Sequence, residues 1–187
     1  MRWRTPFALR CGCSSQIWLK PPKSKADSMA FRIGYGYDVH QLAEGESFWL
    51  GGIEVPHTYG AVGHSDADVL LHVICDALLG ALAMRDIGYH FPDTDPQYKG
   101  IDSKKLLQHT YDLVTRAGWS LGNVDCTICL QRPKIGPHVD AMRQCISGLM
   151  GVELHQVSIK ATTTEKLGFV GREEGVSAHA VVLLEEA

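Results

Sequence analysis

From Phe31 onward the apolar positions change period along the chain, and each change marks an element. Phe31–His40 reads as a strand, and Ser47–Pro56 as two short extended runs turning at Gly51-Gly52, a hairpin pattern. Val69, Val73, Ile74, Ala77, Leu78 and Ala81 then recur at helical spacing, with Ser65 as the expected N-cap and Asp68 three residues later completing a capping box. Arg85–Asp102, rich in Gly, Pro and Asp, reads as a loop. Ser103 is the expected cap of a second helix, Lys104–Ala117, that stops at Gly118. Val124–Leu130 is a strand, Gln131–Gly136 a turn, and Pro137 opens a third helix to about Met150. Val157–Ala161 and Val176–Leu184 complete the set as strands. The order predicts an α+β domain over residues 31–187: a mixed β-sheet with helices packed on one face. Apolar strand positions on the other face predict burial against copies of the same chain.

Composition narrows the class. The 187 residues are 45% hydrophobic and 21% charged, as in one ordinary globular domain, and no run approaches the ~20 apolar residues of a membrane helix. Residues 1–30 carry six basic side chains against Asp27 alone, so with −3 overall the remainder holds −8. An acidic body argues against a nucleic-acid binder, which needs basic surface. Residues 1–30 read as an N-terminal extension without fixed structure, with Met29 as an alternative start and an organelle-targeting segment as the other reading. Cys126 and Cys129 share the spacing of a redox pair, but residues three apart on a strand face opposite ways, so both read as small core side chains. A reducing, cytoplasmic compartment is expected.

Asp38 and His40 stand two apart on the first strand and project from one face, so a carboxylate and an imidazole can reach a single ion. His72, one turn beyond Asp68, is the first candidate for a third ligand, and His64 the second. Asp68 is expected to touch His72 or a shared substrate. The alternative is that His72 only packs against the sheet, and spacing leaves both open. Thr162-Thr163-Thr164-Glu165 follows a strand with hydroxyls, N–H groups and a carboxylate suited to a phosphate chain and its Mg²⁺, although a capped turn explains the same threonines. Gln131-Arg132-Pro133-Lys134 supplies cations beside it if strands 124–130 and 157–161 are neighbours. Gly34-Tyr35-Gly36 precedes no helix and is not a dinucleotide fingerprint.

Taken in order, Asp38-Val39-His40, His64-Ser65-Asp66-Ala67-Asp68-Val69 with His72, Asp86-Ile87-Gly88, Phe91-Pro92-Asp93-Thr94-Asp95, Pro133-Lys134 and Lys160–Phe169 closely resemble the 2-C-methyl-D-erythritol 2,4-cyclodiphosphate synthase family over residues 31–185. The resemblance implies a homotrimer whose sheets face the three-fold axis, with active sites between neighbours. It implies conversion of 4-diphosphocytidyl-2-C-methyl-D-erythritol 2-phosphate, a cytidine diphosphate compound, to the cyclic diphosphate and CMP in the non-mevalonate isoprenoid pathway. Asp38, His40 and His72 match the zinc ligands, and Glu165 the Mg²⁺ or Mn²⁺ ligand. His64 and Thr163 match groups that position phosphates and stabilise the transition state. Val39, Ser65, Asp86, Ile87, Gly88 and the Phe91, Pro92, Asp93, Thr94, Asp95 loop match substrate contacts. Leu130, Gln131, Arg132, Pro133, Lys134, Ile135 and Gly136 match the cytosine pocket, with Thr162 and Thr164 beside the phosphates. The resemblance places Phe169 and Arg172 near the trimer's central cavity, where the family has been proposed to hold isoprenoid diphosphates. His179 and Tyr35 depart from the acidic residue and His usual there. A non-catalytic trimeric nucleotide-binding module and a zinc-dependent phosphohydrolase are the rival readings.

Overall fold

The structure, a computed structural model, describes residues 30–92, 94–98 and 100–187; the extension expected over residues 1–30 lies, but for Ala30, outside them. The chain runs β1 (Phe31–Glu44), β2 (Trp49–Leu50), β3 (Ile53–Glu54), β4 (Tyr59–Ala61), α1 (Val69–Ala81), α2 (Ile87–His90), α3 (Ser103–Arg116), β5 (Trp119–Cys129), α4 (Val139–Met150), β6 (Val157–Thr162), α5 (Gly168–Gly171) and β7 (Gly175–Glu186). Five strands form one sheet in the order β4-β1-β7-β5-β6, and β2 and β3 form the expected hairpin apart from it. The β5/β6 pair is parallel and the others antiparallel, so the sheet is mixed. Strands 124–130 and 157–161 are indeed neighbours.

Alternation along β1 assigns its two faces. Gly34, Gly36 and Leu42 are buried under helices, whereas Phe31, Ile33, Tyr35, Tyr37 and Val39 on the opposite face are 44–65% exposed. Helix α1 lies on the covered face against β1 and β7, with α3 packed beside it. It buries Leu70 and Leu71 as well as the periodic positions, since a helix covered on both sides is apolar nearly all round. The approach to β1 is close. A Cβ on Gly34 would stand 1.8 Å from the Ala77 carbonyl oxygen, and one on Gly36 2.1 Å from that of Val73. These two glycines let the helix backbone rest on the strand, which is the use the sheet has for Gly34-Tyr35-Gly36.

Both expected serine caps are corrected. Asp68, extended at φ −72° and ψ 91°, caps α1 by accepting from Leu70 N and Leu71 N. Ser65 Oγ accepts instead from Ala67 N, and Ala67, at φ +56°, has left the helical region. Asp102 caps α3 by accepting from Lys104 N, so that helix begins at Ser103. A carboxylate accepts more strongly than a hydroxyl at a helix N-terminus, where the backbone dipoles add their partial positive charge. The loop expected over Arg85–Asp102 contains α2 and a 3₁₀ turn at Pro96–Tyr98. Pro137 lies in a 3₁₀ turn that precedes α4. β1 continues past His40 because its end finds a partner in β4, with Leu42 opposite Ala61.

Candidate active site

The two central strand positions and the buried helix converge on one cluster. Asp38 and His40 point to the covered face at the C-terminal part of β1, and His72 reaches them from the first turns of α1. Asp38 Oδ2 lies 3.4 Å from His40 Nδ1 and 3.2 Å from His72 Nδ1. Bonds of about 2.05 Å in a tetrahedron put ligand atoms roughly 3.3 Å apart, and both Asp38 edges match that spacing, with all three ligand atoms within 4.8 Å of one another. Among the described residues, these three form the cluster able to hold a metal ion. Burial works to raise the Asp38 pKa, but the hydrogen bond with His72 and the nearness of His40 and His72 outweigh it and hold the carboxyl below its ordinary value.

A cleft of about 350 Å³ opens beside this cluster, lined by Val39, His40, His64, Ser65 and His72 on one side and Ile87, Gly88 and Phe91 on the other. Gln41, Val62, Gly63, Tyr98, Ile101 and Leu106 complete it, and sequence spacing gave no signal for them. The Ile87 wall is pinned from α1: Asp76, four residues and so one turn after His72, accepts the Ile87 N–H at 2.8 Å. Burial first, then the charges of Asp38 and Asp86, push the Asp76 carboxyl up, against that hydrogen bond. The i+4 spacing from His72 was the available signal for it. Asp86 caps α2 by accepting from Tyr89 N, and Asp95 accepts from Gln97. Pro92 and Thr94 sit in the same loop outside the cleft lining, and Asp93 lies outside the described residues.

The expected contact of Asp68 with His72 is not made. Asp68 is fully buried and points at the hairpin, accepting from Gly51 N at 2.9 Å and Gly52 N at 2.6 Å. Burial pushes its carboxyl up, against the bonds from Gly52, Leu71 and Gly51. By accepting from the hairpin and from the first turn of α1 at once, this carboxyl clamps the β2–β3 turn to the helix that carries His72.

A second pocket of about 240 Å³ lies at the ends of β5 and β6, lined by Leu130, Pro133, Lys134, Ile135, Gly136, Ala161, Thr162 and Thr163. Thr163 Oγ1 donates to Glu165 Oε1 at 3.1 Å, and Thr164 Oγ1 to the Leu167 carbonyl at 2.6 Å. Gln131 Oε1 accepts from Lys166 N, and Arg132 pairs with Glu173 on the surface. No lining residue is common to the two pockets. Val39, Ser177, Cys129 and Thr162 stand in one row across the sheet, so the two sites share one end of it but lie three strands apart. At ~4.8 Å per strand that is roughly 14 Å.

On the open face Tyr35 Oη and His179 Nδ1 are 3.0 Å apart, and the Tyr37 ring stands 4.9 Å from the His179 ring. Phe169 packs over Gly175, and both Arg172 Nε and Nη2 donate to Glu174 at 2.9 Å. Among the described residues no helix is long and apolar enough to cross a membrane.

Three comparisons bear on this arrangement. A synthase of the name 2-C-methyl-D-erythritol 2,4-cyclodiphosphate synthase from Bacteroides thetaiotaomicron is 59% identical over 158 residues, 84% of this chain and 99% of its own. A solved structure of 2C-methyl-D-erythritol-2,4-cyclodiphosphate synthase in a CDP-bound form is 40% identical, covering 82% of this chain and 99% of that one, with a TM-score of 0.76. The bifunctional IspDF from Campylobacter jejuni matches at a TM-score of 0.83 and 39% identity over 86% of this chain, which spans only 43% of that protein. The family model described as YgbB matches residues 31–185, the whole span that holds the sheet, the metal-type cluster and both pockets; the chain belongs to the YgbB family.

Proposed function

We propose that this chain converts 4-diphosphocytidyl-2-C-methyl-D-erythritol 2-phosphate to 2-C-methyl-D-erythritol 2,4-cyclodiphosphate and CMP. The observation that carries this reading is the Asp38, His40 and His72 set at zinc-type spacing, in a chain so similar to proteins of that name. An oxygen of the substrate's 2-phosphate attacks the β-phosphorus, the bond from that phosphorus to the bridging oxygen breaks, and CMP departs with the oxygen. The attacking phosphate is already ionised at neutral pH, so no protein group has to remove a proton. What the chain supplies is conformation: a flexible substrate is folded until nucleophile and leaving group are in line. A zinc ion held by Asp38, His40 and His72, with Mg²⁺ or Mn²⁺ at Glu165, would supply Lewis-acid neutralisation of the crowded phosphate charge.

The residues divide by pocket. Val39, His64 and Ser65 hold the phosphates in the larger cleft, and Asp86, Ile87, Gly88 and the Phe91–Asp95 loop hold the erythritol and sugar portions. In the smaller pocket Leu130–Gly136 takes the cytosine, with Lys134 and Thr162–Glu165 along the diphosphate. We read the working site as shared between copies in a trimer. The two pockets lie three strands apart in one chain, and the exposed apolar row Phe31, Ile33, Tyr35, Tyr37 supports burial against a second copy. Residues 31–187 form the catalytic domain in this reading.

Phosphorus NMR of the products from the named substrate tests the activity. A cyclic diphosphate with stoichiometric CMP is expected; an open-chain 2,4-bisphosphate with CMP would establish a phosphohydrolase, and substrate returned unchanged a binding module.

A further inference from the structure

His72 turns its Nε2 away from Asp38, to 2.9 Å from the Ser103 hydroxyl, with Ser65 Oγ at 3.2 Å. Ser103 is fully buried at the start of α3, a helix that contributes none of the three ligands. Its hydroxyl donates to the Asp66 carboxylate, which also accepts the Ser103 backbone N–H at 3.0 Å. Since Asp102 takes the capping position, the Ser103 hydroxyl is not used by the helix. A hydroxyl has one proton and an ionised carboxylate can only accept, so that proton points at Asp66. The Ser103 oxygen is left as an acceptor, and the group facing it from His72 is then an N–H. A neutral imidazole protonated on Nε2 has its lone pair on Nδ1, the atom 3.2 Å from Asp38 Oδ2.

We propose that Ser103 and Asp66 are positioning residues for the metal centre: through the chain Asp66–Ser103–His72 they fix the Nε2–H form of His72 and hold its ring with Nδ1 toward Asp38 and His40. The inference rests on the metal reading given above. Metal-bound histidines commonly donate their second N–H to a carboxylate or carbonyl, and losing such a partner weakens metal binding about 10–100-fold. Here a buried serine stands between the imidazole and the carboxylate. It brings α3 into register with the site, because Asp66 grips Ser103 at both its backbone and its hydroxyl.

Zinc affinity measured by competition with a chelator, on the full chain and its Ser103→Ala and Ser147→Ala variants, tests this. Ser147 is another buried serine, bonded to the Gln144 carbonyl on α4. Ser103→Ala should bind zinc roughly 10–100-fold more weakly, with Ser147→Ala unchanged. NMR of ¹⁵N-histidine in the zinc-loaded wild type should show a protected His72 Nε2–H, exchanging faster with water in Ser103→Ala. Ser103→Ala binding within about twofold of wild type, against the expected loss, would overturn the proposal. So would zinc on Nε2 of the wild-type ring, a result that needs no variant to fold. A wild type whose zinc binding is weak and unaffected by His72→Ala would instead overturn the metal reading itself, and the proposal with it.

Discussion

Substituting Gly36 by Ala tests whether close packing of helix on strand is what assembles the metal-type cluster. The new Cβ would stand 2.1 Å from the Val73 carbonyl oxygen and 3.0 Å from its carbon, whereas real Cβ atoms keep at least 3.0 Å from such neighbours. Both partners are backbone, so no side chain can swing aside and the turn of α1 at Val73 must retreat by about 0.9 Å. His72 is the preceding residue on that turn. Its Nδ1 would move from 3.2 Å toward about 4 Å from Asp38 Oδ2, beyond the roughly 3.3 Å edge of a tetrahedral zinc site. Overpacking costs about 1–3 kcal/mol, and a rigid backbone clash belongs at the upper end. For a domain of this size that is a fall of roughly 6–12 °C in Tm. Gly34→Ala meets Ala77 O at 1.8 Å and Ala81 N at 2.8 Å, in the half of the helix away from His72. It should lower Tm at least as far while disturbing the metal less. Gly148, in α4 with nothing within 4 Å of a built Cβ, is the control, and its replacement by Ala should stabilise by about 0.5–1 kcal/mol. Differential scanning calorimetry and chelator competition read the two effects separately. If Gly36→Ala keeps wild-type Tm and zinc affinity, or if both variants weaken zinc equally, the reasoning fails.

Three further outcomes are expected. Mixing His72→Ala with Lys134→Ala subunits by unfolding and refolding should restore about a quarter of wild-type sites, because each site in a head-to-tail ring draws on two neighbours; mixed trimers verified by mass spectrometry but inactive would put both halves in one chain. Burial pushes the Cys75 and Cys126 thiols up to about 12, so neither should react with a thiol reagent at pH 8 in the native protein, and rapid labelling of either would contradict the packing. On the open face the hydrogen bond from Lys160 holds the Asp125 carboxyl below its ordinary value. A carboxyl lowered on folding stabilises above its unfolded pKa, so the Tm advantage over Asp125→Asn should be present at neutral pH, begin to fade as the pH falls below about 4 and be lost as it falls on through the lower folded value. Its size is under about 1 kcal/mol because the pair is exposed, and an advantage that grows in acid would reverse the assignment.

Local pattern was enough for most elements and for the family motifs, since periodicity and turn residues act within a few positions. It placed Asp38 and His40 on one face of β1, because a strand's period of two settles that without any partner. It named His72 but could not choose between metal and core, and it left His64 as a rival ligand. That choice depended on where α1 crosses β1, which is set by Gly34 and Gly36, residues whose use is visible only when a helix lies over them. Caps were misassigned for a related reason. Ser65 and Ser103 match the local rule, but the Asp68 carboxyl accepts four N–H groups, two of them from the distant hairpin, and the Ser103 hydroxyl is turned to Asp66, which leaves the cap of α3 to Asp102. The same folding brings Asp66, Ser103 and His72 together across 37 positions of chain. It also separates the two pockets by three strands. Sequence alone determined which side chains were present at each end of the site; the sheet order and the packing of α1 and α3 decided which of them can act together, because those contacts join residues whose separation along the chain carries no periodic signal.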